Sequence, residues 1–388
     1  MRVPLSYNLR NLLVRKTTTA MTALGIALTV AVMLGILGML AGLEHSFQTT
    51  GHPRHLLVFR RGATSELSSA ITPENVQVLR GKGGMETAGG EAMISPELVT
   101  TLNLGVQGSD QTTNVNVRGL SPMGIRMRAE SVKLVEGRWF ERGQRELVAG
   151  QGAAATYRDV AVGKPLLVGS AQFTIVGIFS GGQTAFNGEI WGENHQLSTD
   201  AGRGSSYSSV LIRAADQASA RGLIQAVADD QRLTLEATPE INYYLRQTES
   251  GQPLRYLGIF VAIVMAVGSV FAAMNTMYAA VARRAREIGV LRVLGFSRAS
   301  ILFSFVVESL LLALFGGGLA CLLALPFNGV AGRMGNSVTF SQALFEFRIT
   351  PQMLAAGVAF AAVMGAFGGL LPARVAARQD PMTALREL

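Results

Sequence analysis

Apolar and polar positions alternate on two length scales in this chain. Long runs without charge lie towards both ends, and short apolar stretches punctuated by glycine fill the middle. Thr17–Leu43 is 27 residues without a charge, and Tyr256–Val281 is a second uncharged run. Ala299–Gly332 is broken only by Glu308, and Pro351–Ala373 is again uncharged. Each exceeds the roughly 20 residues that an α-helix needs to cross a hydrocarbon core. The pattern predicts an α-helical membrane protein with four transmembrane helices, at 17–43, 256–281, 299–332 and 351–373. A large extracytoplasmic domain (44–252) falls between the first and second, and an external loop (333–350) between the third and fourth.

Within 44–252 the period changes to that of strands and short helices. His55–Arg60 reads as a strand, and Thr72-Pro73-Glu74 opens a helix with an N-cap and Pro at its first position. Ser209–Arg213 reads as a strand, Asp216–Asp229 as a helix and Arg232–Ala237 as a further strand. The middle holds short strands at Leu98–Leu104, Thr113–Arg118, Glu146–Val148, Pro165–Val168 and Phe173–Phe179, with glycines marking the turns. The expected architecture is an α/β lobe assembled from both ends of the domain with a mostly β lobe inserted.

Charge orients the spans. The segments 1–16, 282–298 and 374–388 carry twelve Lys/Arg against three acids, whereas Glu44–Gln252 is nearly neutral with 19 Lys/Arg and 21 Asp/Glu. The formal charge of +8 therefore sits mainly in the short segments. The positive-inside rule predicts that both termini and the 282–298 turn are cytoplasmic. Charge spread in this way also argues against nucleic acid as a partner. Residues 1–16 carry Leu5, Leu9, Leu12 and Leu13 with Arg10, Arg15 and Lys16, the pattern of an amphipathic helix at the cytoplasmic interface. A signal peptide is disfavoured, because 27 uncharged residues exceed an h-region and no cleavage site precedes Glu44. The only cysteine, Cys321, lies in the third run, so the outer domain rests on its core rather than on disulfides.

The basic turn carries more than charge. Arg283, Arg284, Arg286, Arg292 and Arg298 surround Ile288, Leu291 and Leu294, an amphipathic pattern offering an apolar face to a partner or to lipid headgroups. No catalytic constellation is present: there is no His-Glu-x-x-His and no Gly-x-Ser-x-Gly. The Gly-Lys pairs at 81–82 and 163–164 lack a Walker A glycine, since Val76 and Arg158 stand there. His45, His52 and His55 cluster in sequence, but loop histidines beside a membrane are commoner than a metal site.

The run from Arg286 to Gly295 (Arg-Glu-Ile-Gly-Val-Leu-Arg-Val-Leu-Gly), followed by Glu308-Ser309-Leu310-Leu311-Leu312 and Gly316–Gly318, resembles the FtsX/MacB/LolC-type permease family of bacterial ABC transporters. Pro372-Ala373, Ala376-Ala377, Asp380-Pro381 and Ala384-Leu385-Arg386 are similar to that family's C-terminus. Glu136-Gly137-Arg138-Trp139-Phe140, and the stretch from Val162-Gly163-Lys164 to Val176-Gly177-Ile178-Phe179, resemble its periplasmic core domain. The resemblance implies a non-catalytic, multi-pass subunit of the bacterial inner membrane. A second permease chain, in a homo- or heterodimer, and a separate cytoplasmic ABC ATPase holding ATP and Mg are its implied partners; this chain binds no cofactor itself. Closure of the ATPases would push on a coupling helix, and movements of the outer domain would drive efflux or lipid or lipoprotein transport, with a periplasmic adaptor in the efflux case. The alternative is a regulatory scaffold that activates a cell-wall hydrolase.

On this reading Arg286, Glu287, Ile288, Gly289, Leu291, Arg292, Leu294 and Gly295 contact the ATPase. Glu308 is an intramembrane acid, which either has a function of its own or bonds a neighbouring helix. Gly316, Gly317 and Gly318 permit close helix packing.

Overall fold

The computed structural model describes residues 14, 16–248, 252–336 and 341–378. The amphipathic helix expected over 1–16 lies, apart from Val14 and Lys16, outside the described residues, as do residues 379–388 with the Asp380-Pro381 pair. The chain divides into two compact units. One holds residues up to 41, 253–330 and from 347 onward; the other holds 42–252 and 331–346. The first helix, α1 (Lys16–Gln48), contributes to both.

The outer unit is built on a sheet of β1 (His55–Arg60), β4 (Ile94–Gly105), β5 (Thr112–Leu120), β6 (Lys133–Gly137), β7 (Glu146–Gly150), β8 (Pro165–Val168), β9 (Ala171–Ser180), β10 (Ile190–Glu193), β11 (Ser209–Arg213) and β12 (Leu235–Pro239). Its order is β12-β1-β11-β4-β5-β10-β7-β9-β6, with β8 on β9. Two-residue strands β2 (Thr87–Ala88) and β3 (Glu91–Ala92) close on Gly89-Gly90, both at positive φ, as a tight hairpin requires. The α/β lobe uses α2 (Pro73–Arg80), capped by Thr72, and α6 (Gln217–Ala228), capped by Asp216. Val76, Leu79, Leu223 and Val227 cover Leu56, Val58, Val210 and Ile212 of the sheet. The short helices α3 (Pro122–Arg128), α4 (Gln151–Thr156) and α5 (Asn194–Asp200) border the β lobe.

Two expectations need correction here. The lobes share one sheet, because β4 is long enough to pair with β11 through Ile94–Glu97 and with β5 through Leu98–Gly105. The last strand starts later than Arg232, because the Asp230 carboxylate accepts from the Arg232 backbone and guanidinium and holds a turn there. Gly137 is a position only glycine fits: its φ is +73°, and a Cβ there would strike the Val176 carbonyl and lie 2.8 Å from the Gly177 Cα.

The other face of β1 is buried by α7 (Glu240–Gln247), which turns Glu240, Tyr243, Tyr244 and Gln247 inward at positions i, i+3, i+4 and i+7. Beneath this helix lies a buried ion cluster. Arg118, 2% exposed, donates to Glu66 at 2.8 and 3.0 Å, to Glu97 at 3.0 Å, to Glu189 at 2.9 and 3.0 Å and to the Tyr244 hydroxyl at 3.3 Å. Arg128 donates to both oxygens of Glu97, at 2.5 and 2.9 Å, and lies 3.5 Å from Glu240. Glu240 Oε2 meets His55 Nδ1 at 2.8 Å and accepts from the His52 backbone at 3.2 Å. The Tyr243 hydroxyl accepts from the Glu66 backbone, and Trp191 Nε1 donates to Glu189 at 2.7 Å. Burial pushes the Glu240 carboxyl up, but the His55 hydrogen bond and the Arg128, His55 and Arg118 charges outweigh it and hold the group below the ordinary carboxylate value. The same burial pushes both the Tyr243 and Tyr244 phenols up, so they stay neutral hydrogen-bonding groups.

The membrane unit contains four helices that are long and apolar enough to cross a bilayer: α1, α8 (Gln252–Arg283), α10 (Arg298–Ala324) and α11 (Pro351–Arg378). A short helix, α9 (Ala285–Val293), lies between α8 and α10. The third run was read as a span to Gly332, yet its α-helix stops at Ala324. Pro326 and Asn328-Gly329 break it, with Gly329 at φ +81°. What was read as a loop at 333–350 contains strands β13 (Ala331–Asn336) and β14 (Ser341–Glu346), which pair as a ladder in the outer unit, where Leu344 lies over Gly188.

Small residues let the four long helices approach. A Cβ on Gly316 would lie 2.8 Å from the Ala23 carbonyl of α1, and one on Gly317 would lie 2.8 Å from Ala361 of α11. Gly318 faces open space, so the packing role expected of it falls to its two neighbours. Gly365 and Gly369 of α11 close on Ala313 and Ser309 of α10, and Gly368 on Ala273 of α8. Hydroxyls tie α1 to α8: Thr29 and Ser269 meet at 2.6 Å, and Thr22 donates to Thr276 at 3.3 Å.

Candidate coupling site

The basic turn is a separate helix with a built start and stop. Arg284, at φ −108° and ψ 12°, interrupts the helical path between α8 and α9 and accepts from the Ile288 backbone. At the far end Gly295 adopts φ +93°. Its N–H bonds the Arg292 carbonyl at 3.1 Å, and the Phe296 N–H bonds the Leu291 carbonyl at 3.1 Å. These are the two bonds of a Schellman stop, which needs a left-handed residue after the C-cap. Ser297 then caps α10 by accepting from the Ser300 backbone at 3.2 Å. Gly295, predicted as an ATPase contact, thus has a conformational task of its own.

The side chains do not form the face that the sequence pattern suggests. Ile288 is 2% exposed and packs with Met277, Val281, Ile301, Phe305, Ala373 and Ala376, so it joins α9 to α8, α10 and α11. Gly289 is buried beside it, while Leu291 and Arg292 are half-buried. The reason is angular: residues six apart on an α-helix point about 120° away from one another, so Ile288 and Leu294 cannot share a narrow face. The outward face carries Val290, Val293 and Leu294, at i, i+3 and i+4, with Arg286 and Glu287 also exposed. Leu294 is 65% exposed. An unpartnered apolar triad on a basic helix is the chemistry of a protein docking face.

Glu308 has a partner that sequence reasoning missed. Arg284 Nη1 donates to Glu308 Oε2 at 2.9 Å, and both side chains are buried. A signal for this pair existed. Met277, Val281, Arg284 and Ile288 fall at i, i+4, i+7 and i+11, one inward stripe on a helical period, with an arginine where an apolar residue is due. An acid inside a span calls for such a partner.

Comparison with known proteins agrees with this layout. Residues 259–381 match the FtsX-like permease C-terminal family, and residues 19–230 match the MacB-like periplasmic core domain. The macrolide export ATP-binding/permease protein MacB of Chromobacterium violaceum is 26% identical over 394 residues, covering 95% of this chain and 58% of that protein. MacB of Hahella chejuensis is 25% identical over 314 residues, covering 75% of this chain and 46% of that protein. The chain therefore spans about half the length of these curated relatives. Among solved structures, the periplasmic region of MacB from Actinobacillus actinomycetemcomitans is similar at a TM-score of 0.36 and 14% identity, covering 50% of this chain and 92% of that one. With family matches that take in both the outer unit and the last three spans, the chain belongs to the FtsX-like, MacB-type permeases of ABC transporters.

Proposed function

We propose that this chain takes ATP-driven motion from a separate cytoplasmic ATPase through α9 and delivers it to the periplasmic core domain to drive efflux. The observation that carries this reading is the outward triad Val290, Val293 and Leu294 on a helix whose opposite side is locked into the bundle by Ile288. A push on such a helix reaches α8, α10 and α11 together. The positive-inside bias of the neighbouring segments puts α9 and both termini on the cytoplasmic side. This chain contains no Walker A loop, so ATP and Mg belong to the partner ATPase. Efflux is favoured over lipid transport because the relatives above are named for macrolide export. The permease works as a pair, with the exposed apolar residues of α8, among them Phe260, Val264 and Phe271, facing lipid or the second copy.

Cross-linking tests the docking face. With Cys321→Ser removing the only native thiol, Leu294→Cys and Ile288→Cys are each co-expressed with the ABC ATPases of the source organism. The expected result is a permease–ATPase adduct from position 294 and none from 288. No adduct from 294, or equal yields from both, overturns the assignment.

A further inference from the structure

We infer that the buried Arg284–Glu308 pair is a clamp that fixes the hinge between α8 and α9, so that movement of α9 is passed into the bundle instead of being absorbed at residue 284. This rests on the coupling role proposed for α9 and adds two positioning residues to it.

The geometry carries the argument. The helical path breaks at Arg284, where neither proline nor glycine lies nearby to account for the break. An unsupported break of this kind is a hinge, and a push on α9 would bend it. The one charged side chain at that position turns inward rather than to the exposed side taken by Arg283 and Arg286. It ends 2.9 Å from Glu308. Glu308 lies ten residues into α10, about 15 Å along the helix from Arg298, so the contact links the hinge to the body of the third span rather than to its end. Ile288 provides a second attachment one turn into α9, in the cluster with Ile301 and Phe305. The two attachments differ in kind. Apolar packing at Ile288 is non-directional and tolerates sliding, whereas a buried ion pair holds one distance and one direction. The clamp therefore controls where α9 points, and the packing keeps it in place.

Removing one partner alone would strand the other charge in an apolar setting and would test folding instead. The informative variant is Arg284→Met with Glu308→Met, which keeps volume and removes both charges. Arg284→Lys retains a cation able to make the single contact seen here. Two readouts are taken in nanodiscs, in a Cys321→Ser background. The first needs no ATPase: spin labels at Tyr278→Cys and Val293→Cys report the distance distribution across the hinge. The clamp predicts a narrow distribution for the native pair and for Arg284→Lys, and one at least twice as broad for the double methionine variant. The second is ATP hydrolysis and ATPase co-purification with the partner bound. Co-purification is expected to stay within twofold of the native chain, because Val290 and Leu294 are untouched. Stimulation of hydrolysis by the permease is expected to fall at least fivefold. An unchanged distance distribution, or full stimulation in the double methionine variant, overturns the clamp. A native chain that binds no ATPase instead removes the coupling reading, and the hinge distances still decide whether the pair restrains α9.

Discussion

Arg118→Met is expected to destabilise the periplasmic core domain by about 3–5 kcal/mol, because removing one partner of a buried ion network leaves the others unpaired. The Arg118 guanidinium answers three carboxylates, of Glu66, Glu97 and Glu189. Methionine keeps most of the volume but offers no N–H, so all three lose donors in a site that water does not reach. For a domain of this size the apparent Tm falls by roughly 10 °C. The carboxylates of the cluster outnumber its guanidinium groups, since Glu66, Glu97, Glu189 and Glu240 surround Arg118 and Arg128. Glu66→Gln, which removes one negative charge and keeps a hydrogen-bonding oxygen, is therefore expected to cost clearly less than Arg118→Met. The acid limb follows the same physics. Glu240 is held below the ordinary carboxylate value in the folded state, so its contribution is present above that ordinary value, near pH 4.5, and is lost as pH falls through the folded value. Glu240→Gln should flatten stability between about pH 5 and pH 3. Thermal unfolding of the full chain in nanodiscs reads all three variants. Equal costs for Arg118→Met and Glu66→Gln would contradict this account of the cluster.

The second large effect is functional. Val290→Asp together with Leu294→Asp puts two charges on the outward face of α9 and leaves Ile288 and the Arg284–Glu308 pair in place. Burying either carboxylate against an apolar groove of another protein costs several kcal/mol. Permease-stimulated ATP hydrolysis should fall by at least about 100-fold, the factor that roughly 2.7 kcal/mol corresponds to. Expression and thermal stability should stay close to native, because both side chains already face solvent. A loss of stability without a loss of stimulation would mean that this face belongs to the fold and not to a partner.

Much of the fold could be read from residue order, for reasons particular residues make plain. Uncharged runs identify spans because a charge in hydrocarbon is so costly that even one, Glu308, stands out. Strands such as His55–Arg60 and Pro165–Val168 are bounded by breakers and carry β-branched or large apolar residues. The hairpin at Ala331–Glu346 was missed because its strands hold Ala331, Gly332, Gly335 and Ser341, which have little strand preference of their own and pair because the outer unit supplies a surface. In α9 the motif was plain but its orientation was not. Ile288, Val290, Leu291, Val293 and Leu294 spread over more than half the circumference, and nine residues are too few for periodicity to choose between faces. The charged pairings were out of reach altogether. Arg284 and Glu308 are 24 residues apart, and Arg118 and Glu66 are 52 apart. No local spacing rule links such positions; only the folded chain does.

The central claim is that ATP-driven motion enters through α9 and emerges in the periplasmic core domain. Its most direct test is a distance measured between the two permease copies of a pair, with the ATPase bound. Arg142 is exposed in the periplasmic core domain, so a spin label at Arg142→Cys, in the Cys321→Ser background, reports that distance without touching the core. Nanodisc complexes are compared without nucleotide and with ATP trapped on a hydrolysis-deficient ATPase. The account predicts that ATP shifts the distance by several ångströms in the native chain and leaves it unchanged when Val290→Asp and Leu294→Asp are present. An identical distance in both nucleotide states of the native complex, with the ATPase bound and competent, would contradict it.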